Sequence, residues 1–212
     1  MEYFEHPLSN KHLVGFSDVY NLEKSGSFLR DGFRFLDRIL CFEIPVNSKM
    51  DNCLETLKDD SITIVCDNTI DDRLVSLAKK SFAFDRRFHL EQSFKKDNSE
   101  YLIDLFLNQS RKPQIIVYKA YHGHDLLGFS IVDEAADPNS GFFQNILSAT
   151  KEGIKGRLVA VPLYRAMIKG EKEKFKKYYG EVSSSNIASI NLHFSLGGKV
   201  VNVYDEFIKT KE

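Results

Sequence analysis

A mixed α/β fold of the α+β kind is what this 212-residue sequence predicts: a mostly antiparallel sheet with splayed central strands, flanked by helices. Three observations predict it. Runs rich in β-branched and aromatic residues recur along the chain, at 33–46, 61–66, 114–120, 126–132, 143–150, 178–183 and 199–208. Two of them, 114–120 and 126–132, flank a short segment containing Gly123, which is a hairpin signal. Residues 145–198 then read strand, small polar loop, helix, strand, helix, the order a chain needs to grip a pyrophosphate between two splayed strands.

In chain order, residues 10–33 carry Leu13, Val14, Phe16, Val19, Tyr20, Leu22 and Leu29 at mixed spacing, broken by Ser25, Gly26 and Ser27. One or two short helices with a Gly-Ser turn between them are expected there. The run 33–46 stops at Pro45 and reads as a strand, and 47–58 is polar and loop-like. After the strand 61–66, Asp67, Asn68, Asp71 and Asp72 offer cap oxygens and first-turn acids for a helix through about Phe82. A polar loop at 85–89 leads to a second helix over about 99–109, whose Tyr101, Leu102, Leu105 and Phe106 share a face. Next come the hairpin, the strand 143–150, a polar loop over 151–157, and a helix beginning near Leu158, with Pro162 suited to its first turn. The segment 169–177 is charge-dense and reads as a solvated helix end. The strand 178–183, a helix capped by Asn186 and ended by Gly197 and Gly198, and a closing strand complete the chain.

Composition narrows the partners. Lys and Arg total 29 against 30 Asp and Glu, a net charge of -1, so a broad nucleic-acid footprint is not expected. Cys41, Cys53 and Cys66 are odd in number and lack metal-site spacing, so they read as reduced thiols of a cytoplasmic protein. The first residues are acidic and polar, which does not suit export, and no apolar run approaches the ~18 residues of a membrane span. His122 and His124 beside Asp125 have no further clustered ligand, so no metal site is expected.

Two segments could carry chemistry. Backbone N–H groups where Lys155, Gly156, Arg157, Leu158, Val159 and Ala160 turn into a helix would suit phosphate oxygens, with Lys155 and Arg157 adding charge. Taken alone, so short a pattern is more often a solvated basic turn. In the last helix, His193 lies two helical turns after Asn186 and so projects from nearly the face of the cap. A histidine there could hand a proton to a departing group at neutral pH, or simply be a packed side chain.

The element order, the turn before the helix and the run from Asn186 through Ser189, His193, Leu196 and Gly197 together resemble the C-terminal half of the Gcn5-related N-acetyltransferases (GNAT). That resemblance implies a GNAT sheet, acetyl-coenzyme A (acetyl-CoA) as donor, and its pyrophosphate on the amides of Lys155, Gly156, Arg157, Leu158, Val159 and Ala160. It further implies a pantetheine arm pairing like a strand with Leu147, Ser148, Ala149 and Thr150, Asn186 near that arm, and His193 where the family usually has a thiolate-protonating Tyr. The sequence departs from the family pattern at Leu158, where a Gly is usual, at Ser189, where Ala is, and at His193.

A looser resemblance covers more of the chain. The segment 32–42 and Arg87, Phe88 and His89 are similar to the nucleotide-linked amino-sugar acetyltransferases, the dTDP-fucosamine N-acetyltransferase group among them. This implies a small N-terminal α/β subdomain over 1–76, an acetyltransferase domain over 77–212, and Arg87, Phe88 and His89 on the acceptor side. The expected activity is transfer of an acetyl group to a primary amine of a small molecule, a nucleotide-linked amino sugar first. A protein or polyamine acceptor, or a non-catalytic acyl-CoA-binding module, are the alternatives. For deprotonating the amine the sequence offers only water or Glu181, and a homodimer is carried as an open expectation.

Overall fold

The structure, a computed structural model, describes residues 3–5, 12–46, 61–81, 115–137, 142–171 and 174–210. They form β1 (Tyr3–Glu5), β2 (His12–Asp18), α1 (Leu22–Arg30), β3 (Arg34–Pro45), β4 (Thr63–Cys66) and α2 (Asp72–Ser81). The hairpin strands β5 (Ile115–His122) and β6 (Asp125–Asp137) follow, then β7 (Phe142–Thr150), α3 (Ile154–Glu171), β8 (Lys177–Ser183), α4 (Ile187–Ser195) and β9 (Lys199–Thr210). The predicted loop at 47–58, the helix at 99–109 and Arg87, Phe88 and His89 lie outside the described residues.

All nine described strands join one sheet in the order β1-β2-β9-β3-β8-β7-β6-β5-β4. Every neighbouring pair is antiparallel except β7 and β8, which run parallel and are joined through α3. Strands from the first 76 residues share this sheet with the rest, and the predicted boundary at 76/77 falls inside α2.

Alternation along the central strands sorts the core onto two faces. On one side α3 lays Val159, Leu163, Tyr164, Met167 and Ile168, spaced as a helical stripe, over Tyr118, Ala120, Val132, Phe143 and Tyr178. On the other, α2 sets Leu74, Leu77 and Ala78 against Ile115, Val117, Phe129 and Ile131. Each large apolar side chain buried this completely contributes ~1.5–3 kcal/mol. Asp71 caps α2, its Oδ1 accepting from the Leu74 N–H at 2.9 Å.

Two expectations are corrected. Residues 12–18 form a strand, and over its second half Gly15 and Ser17 are buried and Phe16 and Asp18 exposed, a period of two. The Ser25-Gly26-Ser27 segment lies inside α1 and is not a turn; Asn21 caps that helix at Lys24, and Phe28 anchors it against Phe33 and Phe207. Secondly, α3 begins at Ile154, not near Leu158, so Lys155, Gly156 and Arg157 are first-turn residues. Gly153, at φ 98, makes the sharp reversal from β7 into the helix. Pro162 sits inside α3, where it removes only the N–H that Leu158 would have accepted.

At the far end of α3 the carboxyl of Glu171 is 1% exposed; Tyr118 donates to its Oε1 at 2.5 Å, while its Oε2 is buried without a hydrogen bond, 3.7 Å from Lys174 Nζ. Burial, reinforced by the neighbouring Glu134 carboxylate, raises the Glu171 pKa. The fold therefore favours the protonated form, and that contribution is present at low pH and lost as the pH rises through the folded-state pKa. Glu171→Gln is accordingly expected to raise Tm at pH 7 and to leave it unchanged near pH 4, where the native glutamate carries its own proton. Scanning calorimetry at the two pH values checks this; an equal shift at both would refute it.

Candidate active site

The sheet opens between its two parallel strands. β7 and β8 pair only at Phe142↔Lys177, Phe143↔Tyr178 and Gln144↔Tyr179. Beyond that point β7 follows β6 as far as Gly128↔Thr150, and β8 follows β3 as far as Ile39↔Ser183. The β6 register shifts between Ile131↔Leu147 and Val132↔Asn145, leaving Ile146 as an extra residue, and such a bulge bends a strand away from its neighbour. Beneath α3 a polar knot holds this course: Asn145 Nδ2 donates to Ser148 Oγ at 2.6 Å and to Ser130 Oγ at 2.5 Å, and the two serine hydroxyls lie 2.7 Å apart.

A cleft of about 770 Å³ fills the gap. One wall is Ser148, Ala149 and Thr150 of β7, and the other is Ser183 with the following Ser185 and Asn186. Ala160, Val161, Leu163 and Tyr164 of α3 and one side of α4 complete it. Of the described lining residues none carries a formal charge; hydroxyls and amides supply the polarity. α3 begins at Ile154, four residues after Thr150 of the wall, and the first-turn N–H groups of a helix favour anions.

The predicted cofactor residues therefore divide. Ser148, Ala149, Thr150, Ala160 and Asn186 line the cleft, and Lys155, Gly156, Arg157 and Leu158 lie at the N-terminal end of α3. Val159 is fully buried on the sheet-facing side of α3, and Leu147 packs against the α2 side of the sheet. Asn186 caps α4, its Oδ1 accepting from Ser189 N–H at 3.0 Å.

His193 is not on the cleft wall. It is 1% exposed and packs between Phe42 (ring centroids 4.9 Å), Tyr164 (5.6 Å) and Tyr178 (5.7 Å). The two-turn arithmetic fails because Asn186 is not helical, with φ -90 and ψ 73, so its side chain folds over the helix end while His193 faces the sheet. Nδ1 lies 2.8 Å from the Ser189 carbonyl and Nε2 lies 3.1 Å from the Tyr178 hydroxyl. A histidine enclosed this way cannot touch a group in the cleft directly. Burial lowers its pKa, with the Ser189 hydrogen bond acting in the opposite direction, so the imidazole is neutral at pH 7. Glu181 is also elsewhere: it is exposed and accepts from Tyr204 Oη at 2.9 Å.

The cleft-facing residue that sequence reasoning missed is Tyr164. Its ring stands edge-on to those of Tyr178 and His193, with centroids 5.9 and 5.6 Å apart, and burial raises its pKa. The available signal was its position one helical turn after Ala160, on the same face.

No family model and no curated protein matches this chain. Solved structures do. A functionally unknown conserved protein from Staphylococcus epidermidis aligns with a TM-score of 0.65 at 11% identity, over 95% of this chain and 73% of that one. A tandem GNAT protein from the clavulanic acid biosynthesis pathway aligns at 0.60 and 10% identity, over 94% and 64%. A GCN5-related N-acetyltransferase from Sphaerobacter thermophilus aligns at 0.56 and 11%, over 94% and 59%. The likeness is one of fold: this chain has the fold of the Gcn5-related N-acetyltransferases, and it spans less than two thirds of the last two structures.

Proposed function

We propose that the protein is an acetyl-CoA-dependent N-acetyltransferase acting on a primary amine of a small molecule, with a nucleotide-linked amino sugar as the first acceptor class to test. The observation that carries this reading is the parting of β7 from β8 after Gln144↔Tyr179, which opens the cleft beside α3. Acetyl-CoA supplies an activated acyl group; the chain supplies binding, orientation and proton handling.

The free first-turn N–H groups of α3, at Lys155, Gly156 and Arg157, receive the pyrophosphate, while those of Leu158, Val159 and Ala160 are taken up in the helix itself. The free edge of β7 at Leu147, Ser148, Ala149 and Thr150 offers backbone groups to the amide-bearing arm, and a β7 N–H stabilises the developing oxyanion. Asn186 contacts the arm from the opposite wall. Arg87, Phe88 and His89 are assigned to the acceptor side on resemblance alone. His193 enters as a buried partner of the proton-transfer machinery, because Tyr178 and Tyr164 stand between it and the cleft. Direct transfer needs no covalent enzyme intermediate, since holding both reactants in one cleft supplies much of the rate.

The test is free-thiol release from acetyl-CoA with a nucleotide-linked amino sugar, spermidine and a lysine peptide as acceptors. Turnover of the amino sugar supports the reading, and turnover of spermidine or the peptide alone moves the acceptor class. Coenzyme A binding without turnover of any amine would favour a non-catalytic binding module. Absence of binding would overturn the proposal.

A further inference from the structure

We infer that Ser81, the last residue of α2, is a donor-binding residue: its hydroxyl, anchored on the Thr150 carbonyl, presents its oxygen to an N–H or O–H of the coenzyme A arm and fixes the register in which that arm lies along β7. This rests on the transferase reading above, and it brings α2 into the site.

Strand parity decides which backbone groups of β7 face the gap. The register Ile131↔Leu147, Ser130↔Ser148, Phe129↔Ala149 and Gly128↔Thr150 runs without a shift, and the Lys151 N–H continues it onto the Leu127 carbonyl at 2.7 Å. Residue pairs in an antiparallel ladder alternate between those that exchange hydrogen bonds and those that do not. Lys151 bonds to β6, so Ala149 and Leu147 likewise spend their N–H and C=O groups on β6. Those of Ser148 and Thr150 point the other way, into the gap that β8 has left.

One of these gap-facing groups is already occupied. Ser81 Oγ donates to the Thr150 carbonyl at 3.3 Å, reaching it from the helix that packs on the face opposite α3, and Ser81 lines the cleft. The hydroxyls of other cleft serines turn elsewhere: Ser148 into the knot with Ser130 and Asn145, Ser183 onto Ser185, and Ser195 onto the Leu192 carbonyl of its own helix. Among the described lining residues only Ser81 bonds through its side chain to a gap-facing backbone group of β7.

That bond sets what Ser81 can recognise. A hydroxyl has one proton to give and two lone pairs to receive with. With the proton committed to Thr150, Ser81 shows the cleft an acceptor, and donation to a carbonyl strengthens the same oxygen as an acceptor. Phosphate oxygens, which only accept, do not suit it. The arm of coenzyme A does, because its amides and its hydroxyl carry protons. Were the Thr150 carbonyl bare, the arm could pair one step further along β7. With that carbonyl occupied, pairing centres on Ser148 and ends at the Thr150 N–H, which in turn fixes where the thioester lies.

Calorimetric titration with two ligands tests this: coenzyme A, and adenosine 3′-phosphate 5′-diphosphate, which has the nucleotide and the phosphates but no arm. Ser81→Ala, a change that a helix tolerates well, is expected to weaken coenzyme A roughly threefold to tenfold, the range of one hydrogen bond, and to leave the armless ligand unchanged. Ser81→Thr, which keeps the hydroxyl, is expected to return coenzyme A binding toward the wild-type value. Equal losses for the two ligands would mean that Ser81 acts only through the fold, and no loss for either would mean that it touches neither. Both results overturn the inference and leave the transferase reading standing. A wild type that binds neither ligand would overturn the two together.

Discussion

Replacing Phe42 with alanine is expected to destabilise the protein by about 3–5 kcal/mol. Phe42 is fully buried on β3, opposite Gly180 in the ladder, and its ring meets His193 at 4.9 Å and Phe194 edge-on at 5.1 Å. It is the side chain on which the middle and end of α4 rest. The loss combines the transfer of a large apolar group with the cavity left beneath a helix that is pinned at both ends. Asn186 fixes one end, and the Gly197 and Gly198 N–H groups, bonded to the Phe194 and His193 carbonyls at 3.0 and 2.9 Å, fix the other. Urea unfolding should show the midpoint falling without a change in slope, and amide exchange in α4 should accelerate more than in α2. A cost under about 1 kcal/mol would mean that the β3 face does not carry α4.

The second large effect concerns binding. Ala160 stands on the cleft wall one turn before Tyr164, and Ala160→Trp would fill the space between α3 and the β7 edge. At a coenzyme A concentration near 100 times Kd, the wild type is expected to gain about 2.7 kcal/mol of stability from the ligand. A hundredfold weaker site at the same concentration leaves about 0.4 kcal/mol, which is the result expected of Ala160→Trp. Thermal melts with and without coenzyme A measure both values, and circular dichroism of the variant confirms that the fold survives. Equal ligand-induced shifts in the two proteins would place the binding site outside the cleft.

Much of this architecture was legible because it rests on local signals. The β5–β6 hairpin announced itself by Gly123 between two β-rich runs, β3 by its composition and terminal Pro45, and α2 by Asp71. The splay was legible as an order of elements, since parallel strands joined by a helix must take separate partners once their shared register ends. What local signals could not show was direction and depth. Pro162 marked a helix correctly but placed its start too late, because a proline inside a helix costs one hydrogen bond rather than the helix itself. The strand at 12–18 was hidden by apolar residues at both parities, Leu13 at one and Val14 and Phe16 at the other.

His193 was expected on the face of the Asn186 cap, and the structure turns it toward the sheet, against Phe42. Tyr164 was passed over because an aromatic residue on an apolar helical stripe looks like ordinary core. Its ring meets that of Tyr178, which lies on a different element, and no spacing within either element encodes that meeting.

The measurement that bears most directly on the account is an amide NMR titration of the wild type with coenzyme A, following residues 145–150. Outward-facing β7 amides that lack a β6 partner are expected to shift and gain exchange protection as the ligand's arm pairs with them, together with the first-turn amides of α3. If coenzyme A binds while those β7 amides keep their free-state shifts and exchange rates, the ligand does not enter between β7 and β8, and the account is wrong.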